Sequence, residues 1–178
     1  MTTLPGPVLL GPAGFGPSHG HLYIYSAPRA VLQHIQWSIA DVLKNPISLS
    51  WEPQPISPAT FRSEIAWHGL VGTGSQLASA LKGWHYLTFE IHEAANNGSD
   101  GSLYMFTPKL GIFRGNVGPH GDLMVNENQL RRALIKNGRD SDVIEEIESL
   151  LGSKWDEELE PFRQVRASSG LAPAKISG

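Results

Sequence analysis

The chain has 178 residues, 40% of them hydrophobic and five of them tryptophan, which is enough apolar material for one packed domain and excludes global disorder. A net charge of -3 argues against a nucleic-acid footprint, which shows a basic excess or stripe. The absence of cysteine excludes disulfides, thiolate zinc sites and cysteine nucleophiles, and suits a reducing cytoplasm.

Residues 1–20 carry four prolines and five glycines and read as a flexible arm. They lack the basic start and the apolar run of a secretory leader. No apolar run in the chain approaches the ~18 residues that span a bilayer. Ordered structure is expected from "HLYIYSAP", where alternation sets Leu22 and Ile24 on one face and Tyr23 and Tyr25 on the other. Pro28 then suits the first turn of a helix through "RAVLQHIQWSIADVLKN", with Val31, Ile35 and Ile39 forming an i, i+4 stripe. Asn45-Pro46 ends it, because a proline pushes the residue before it out of the helical region.

"ISLSWEP" alternates again and predicts a second strand, and "TFRSEIAWH" predicts a third. "GTGSQLASALKG" predicts a short helix with Thr73 and Gln76 at capping-box spacing, and "YLTFEIHEA" a fourth strand. The resulting β-α-β-β-α-β order over residues 21–95 predicts an α+β, ferredoxin-like antiparallel sheet with helices on one face. Residues 102–162 are expected to extend the same domain. Two strands around Thr107-Pro108 form a hairpin, a helix begins at the Asn126/Gln129 capping box and ends near Gly138, and "DSDVIEEIESLLG" forms a second helix. "SKWDEELEPF" promises one further short turn, and residues 163–178 read as a flexible tail.

No catalytic constellation emerges. The glycines of "GTGSQ" fit neither the dinucleotide fingerprint nor the Walker loop, so a strand-to-helix turn is the plainer reading. An anion at the helix start, against Thr73, Gly74 and Ser75, is the sharper alternative. Arg114, His120 and Asp122 gather in a glycine-rich stretch and form the rival ligand site. Two local ligands are too few for zinc or iron, so no metal or other cofactor is expected. The acidic runs Glu145-Glu146-Glu148 and Asp156 to Glu160 read as solvated helix faces. The polar face of the sheet, with Tyr23, Tyr25, Arg62, His68 and Tyr86, suits a protein interface unless later elements cover it.

"YIYSAPRAVLQHIQWSIADVL", "WEPQP", "GTGSQLASALKGW", "FEIHE", "FTPKLGIF" and "GDLMVNENQLRRAL" together resemble an uncharacterised actinobacterial family, domain of unknown function 3145, from Leu22 to Leu134. The arm and the residues beyond Phe162 fall outside that likeness. The resemblance carries no catalytic residues. It implies a supporting role beside fatty-acid synthesis, as an accessory or regulatory subunit in acyl-CoA carboxylation or fatty-acid assembly. The expectation is therefore a cytoplasmic, non-enzymatic protein-interaction or regulatory module with a protein partner, no nucleic acid and no membrane span. Homodimerisation through the sheet is a further option, and a ligand binder or enzyme built on Arg114, His120 and Asp122 is the rival.

Overall fold

β1 (Pro17–Pro28) is the spine of the molecule, pairing antiparallel with β3 (Thr60–Leu70) on one side and β4 (Thr88–Glu93) on the other. The computed structural model describes residues 16–136 and 140–169. Among these, seven strands form one sheet in the order β2-β3-β1-β4-β5-β6-β7, with β2 Glu52–Pro53, β5 Gly101–Thr107, β6 Gly111–Val117 and β7 Leu123–Met124. All the pairings are antiparallel. Five helices accompany it: α1 Leu32–Leu43, α2 Thr73–Leu81, α3 Glu127–Lys136, α4 Asp140–Leu151 and α5 Ser153–Ser169.

Alternation along β1 decides the layers. Leu22 and Ile24 face α1 and α2 and join Ile35, Ile39, Ile65, Trp67, Leu77, Leu81, Phe89 and Ile91 in the main core. Gly20 continues that face and makes room for Trp67, because a Cβ there would overlap the indole and the His92 carbonyl. The opposite face carries a smaller core of Tyr25, Met105, Phe113 and Leu159, flanked by Tyr23, Trp155 and Phe162. Leu159, Trp155 and Phe162 come from α5, so helices cover both faces. The expectation of helices on one face holds for α1 and α2 only.

Three boundaries also differ from expectation. β1 begins at Pro17, inside the expected arm, and proline is tolerated as the first residue of a strand. "ISLSWEP" buries Leu49 and exposes Ser48 and Ser50, as alternation predicts, but only Glu52 and Pro53 join the ladder. The Leu49 amide donates instead to Gln36 Oε1 of α1 at 3.1 Å. Finally, α5 runs through Ser169, where a short turn and then a mobile tail were expected. Gly138, the expected helix terminator, lies outside the described residues.

Candidate functional site: a charged network beneath α5

On the face turned away from α1 and α2, β1 presents His19, His21 and Tyr23, with Tyr25 beyond them at a local shift of register. Glu64 of β3 and Glu90 of β4 are the direct cross-strand partners of Tyr23. Two buried carboxylates thus flank one tyrosine, and two arginines from α5 answer them. Arg163 Nε donates to Glu90 Oε2 at 2.9 Å, and Arg166 pairs with Glu64. The Arg166 guanidinium also lies 4.1 Å from the centroid of the Tyr23 ring, a cation–π contact. Spacing of three residues sets both arginines on one side of the helix. Arg62 of β3 donates to Glu52 at 3.1 Å and to Ser169 of α5 at 3.0 Å.

Glu90 is the centre of the network. Its Oε2 also accepts from the Tyr25 hydroxyl at 2.9 Å, and its Oε1 lies 2.6 Å from His92 Nε2. Burial alone would raise its pKa, but the hydrogen bonds from His92 and Arg163 outweigh that and hold it at about 2. The Tyr25 phenol is pushed well above its usual range by burial and by the Glu90 charge. Arg163 loses some basicity to burial, yet its hydrogen bond to Glu90 raises it overall. At neutral pH Glu90 is a fixed anion, Tyr25 a fixed neutral phenol and Arg163 a fixed cation. General acid–base work needs a group poised near the operating pH, and these three are tuned away from it. Their arrangement suits holding α5 on the sheet.

A small cavity remains between α5, β1 and β3, lined by Tyr23, Tyr25, Arg62, Ser63, Glu64 and Arg166. About 20 Å³ of it admits a water centre, enough for one molecule. Arg62 Nε and Nη1 and Glu64 Oε1 are buried without a partner among the described residues, and because both residues line this cavity a water there would serve them.

The residues singled out from sequence are scattered over the molecule. Tyr23, Tyr25 and Arg62 lie beneath α5, so they do not form the free interface expected of them; the helix that covers them begins where only a short turn was read. His68 stays exposed on β3, its ring 6.1 Å from that of His19. Tyr86 is 70% exposed in the loop before β4 and is not on the sheet. Thr73, Gly74 and Ser75 do open α2, but the anion at this helix start is the protein's own. Glu93 of β4 accepts from the Gly72 amide at 2.7 Å and from the Gly74 amide at 2.9 Å. The Thr73/Gln76 capping box is absent. Gly72, at a φ of 93°, occupies the cap, and the Thr73 hydroxyl turns back to the Leu70 carbonyl.

An open cleft beside Arg114 is lined by Gly115, Asn116, Met124, Asn126, Gln129 and Leu150. His120 and Asp122 sit exposed in the turn closed by the Gly118 amide and the Asp122 carbonyl, outside that lining. Among the described residues no group of three histidine, aspartate or glutamate side chains is arranged to hold a metal ion. Sequence reasoning missed Arg163 and Arg166, which it left in the tail, and Glu93. For the arginines the available signal was their helical spacing opposite a sheet face rich in carboxylates.

A family model for proteins of unknown function, DUF3145, matches residues 21–173. The chain belongs to the DUF3145 family. No curated protein matches it. No solved structure matches it either. The match extends well past Leu134, where the resemblance read from sequence stopped, and takes in α4 and α5. The DUF3145 domain therefore includes every member of the charged network, from Tyr23 to Arg166.

Proposed function

We propose that this DUF3145 chain is a non-enzymatic protein-interaction or regulatory module. The observation that carries the reading is an exposed aromatic cluster on the helical side. His34 meets Trp37 edge-on at 5.3 Å and stacks on Trp84 at 6.0 Å, while Trp37 remains 59% exposed. Tyr86 follows two residues after Trp84 and is also exposed. Tryptophan and tyrosine held in place by neighbours, at low cost in side-chain entropy, are the residues that anchor protein interfaces. The network beneath α5 gives no counterweight, since its charges are spent on one another.

The partner class is the one that the family resemblance implies, an enzyme of acyl-CoA carboxylation or fatty-acid assembly in the cytoplasm. For the fold of the partner-binding half we infer a ferredoxin-like unit. Its support is the order β2-β3-β1-β4, with α1 following β1 and α2 following β3. Co-purification of the tagged chain from its native cell is the test. A stoichiometric partner should appear at moderate salt and be lost, by at least tenfold, with Trp37→Ala plus Tyr86→Ala, both exposed and so without effect on folding. If no stoichiometric protein comes down, or the double variant retains it, the reading is wrong.

A further inference from the structure

β6 and β7 meet the start of α3 and the end of α4 around the open cleft beside Arg114. About 220 Å³ of it admits water centres, against about 20 Å³ beneath α5, so it has room for a small organic molecule. Its polar side chains hold a surplus of donors. Arg114 is exposed, and its guanidinium makes no ion pair or hydrogen bond among the described residues. It lies 5.8 Å from the centroid of the Tyr104 ring, a contact that steadies the side chain and engages none of its N–H groups. Asn126 and Gln129 have their acceptors engaged: Asn126 Oδ1 accepts the Gln129 amide, and Gln129 Oε1 accepts the Asn126 amide. Both NH2 groups are left without a partner among the described residues, as is the Asn116 carboxamide.

The geometry points to this cleft as a binding site for a small monocarboxylate with an apolar body. Each feature of that ligand follows from a side chain. One guanidinium and three neutral carboxamides balance one negative charge, which suits a carboxylate better than the dianion of a phosphate monoester. No aspartate or glutamate is among the residues that line the cleft, so no charge in the lining repels an anion. Glu127, next to Asn126 in sequence, is paired with Arg131. Met124 and Leu150 supply an apolar wall for the rest of the molecule. The donors are side chains, since the amides of Asn126 and Gln129 are already held by the capping box. No histidine, carboxylate or hydroxyl lines the cleft to move a proton, so the site holds its ligand and performs no acid–base chemistry on it. Arg114 is shared with the ligand site expected from sequence. Asn116, Asn126 and Gln129 join it in place of His120 and Asp122, which lie outside this lining.

Titration of the full chain with hexanoate, followed by nitrogen–proton NMR of its side chains, tests the site. Hexanoate should move the Asn116, Asn126 and Gln129 NH2 signals and the Arg114 Nε–H signal along one saturable curve. Hexanamide offers the body without the charge, and inorganic phosphate the charge without the body. Each should bind roughly tenfold more weakly or worse. Arg114→Gln should weaken hexanoate by a similar factor, roughly tenfold, and leave the thermal midpoint of the unliganded chain unchanged, because the side chain is exposed. Arg114→Lys, which keeps the charge, should recover part of the loss. Hexanoate that leaves these signals in place, or moves them without saturation, overturns the inference. So does an Arg114→Gln chain that binds it undiminished, or a wild type that takes hexanamide or phosphate equally well. The cleft shares no residue with the aromatic cluster at Trp37, so failure of the co-purification would leave this inference standing, and the reverse holds too.

Discussion

Glu93 takes the position that a bound anion occupies at many helix starts. Both of its oxygens accept amides from the first turn of α2, and the residue is buried. Charged acceptors on backbone amides are worth roughly 1.5–3 kcal/mol each, more than neutral ones. Glu93→Gln keeps the shape but turns an NH2 toward one of the two amides. The variant should lose about 2 kcal/mol, read as a lower urea midpoint with an unchanged slope. An unchanged midpoint would strip Glu93 of its capping role. Sequence alone points to the helix start but not to its cap, and the reason is distance along the chain. The Asn126/Gln129 box was legible and forms as expected, with reciprocal bonds of 2.9 and 3.2 Å, because its partners are three residues apart. Glu93 arrives from the next strand, and no local spacing announces it.

At the scale of elements, the same distinction separates α1, α3 and α4 from α5. The first three have an apolar period or local caps, and they appear where periodicity predicts them. α5 has a charge run, Pro161 in its interior and Leu159 as its single buried residue. Pro161 is exposed, so the Glu157 carbonyl it leaves unpaired can turn to water. Beside the small core around Leu159, the helix is held by polar contacts to partners far back in sequence, namely Arg163 to Glu90, Arg166 to Glu64, and the Trp155 indole to the Gly111 carbonyl at 3.0 Å. None of that registers as hydrophobic periodicity. Having only one fully buried side chain also means low local stability. Amides of α5 should therefore exchange with solvent well before those of β1 and β4. Leu159→Ala should cost about 2–5 kcal/mol. It should also speed α5 exchange selectively and shift Trp155 emission to the red. Uniform exchange across α5 and the central strands would contradict this picture.

For the whole molecule, burying a titrating network on one sheet face sets the pH window of stability. Glu90 titrates near 4.5 when unfolded and about 2 when folded. Its contribution, about 3 kcal/mol, is complete above pH 4.5 and disappears as pH falls toward 2. His21 adds to the acid limb. Burial, with help from His92 and Arg166, lowers its pKa below 6.5, so the unfolded chain takes up that proton first and stability declines as pH falls through 6.5. The alkaline limb belongs to the tyrosines. Burial raises both Tyr23 and Tyr25, and the unfolded chain releases their protons from 10.0 upward, so stability is lost as pH rises beyond that value. The expected profile is a plateau between about pH 7 and 10, with a shallow acid step followed by a steep one. Urea midpoints measured across the range would map it. Glu90→Gln provides the control. It leaves Arg163 and the Tyr25 hydroxyl without their shared anion, so it should be destabilised already at neutral pH, while losing the steep step below 4.5. Should that variant keep the wild-type slope there, another carboxylate governs the acid limb.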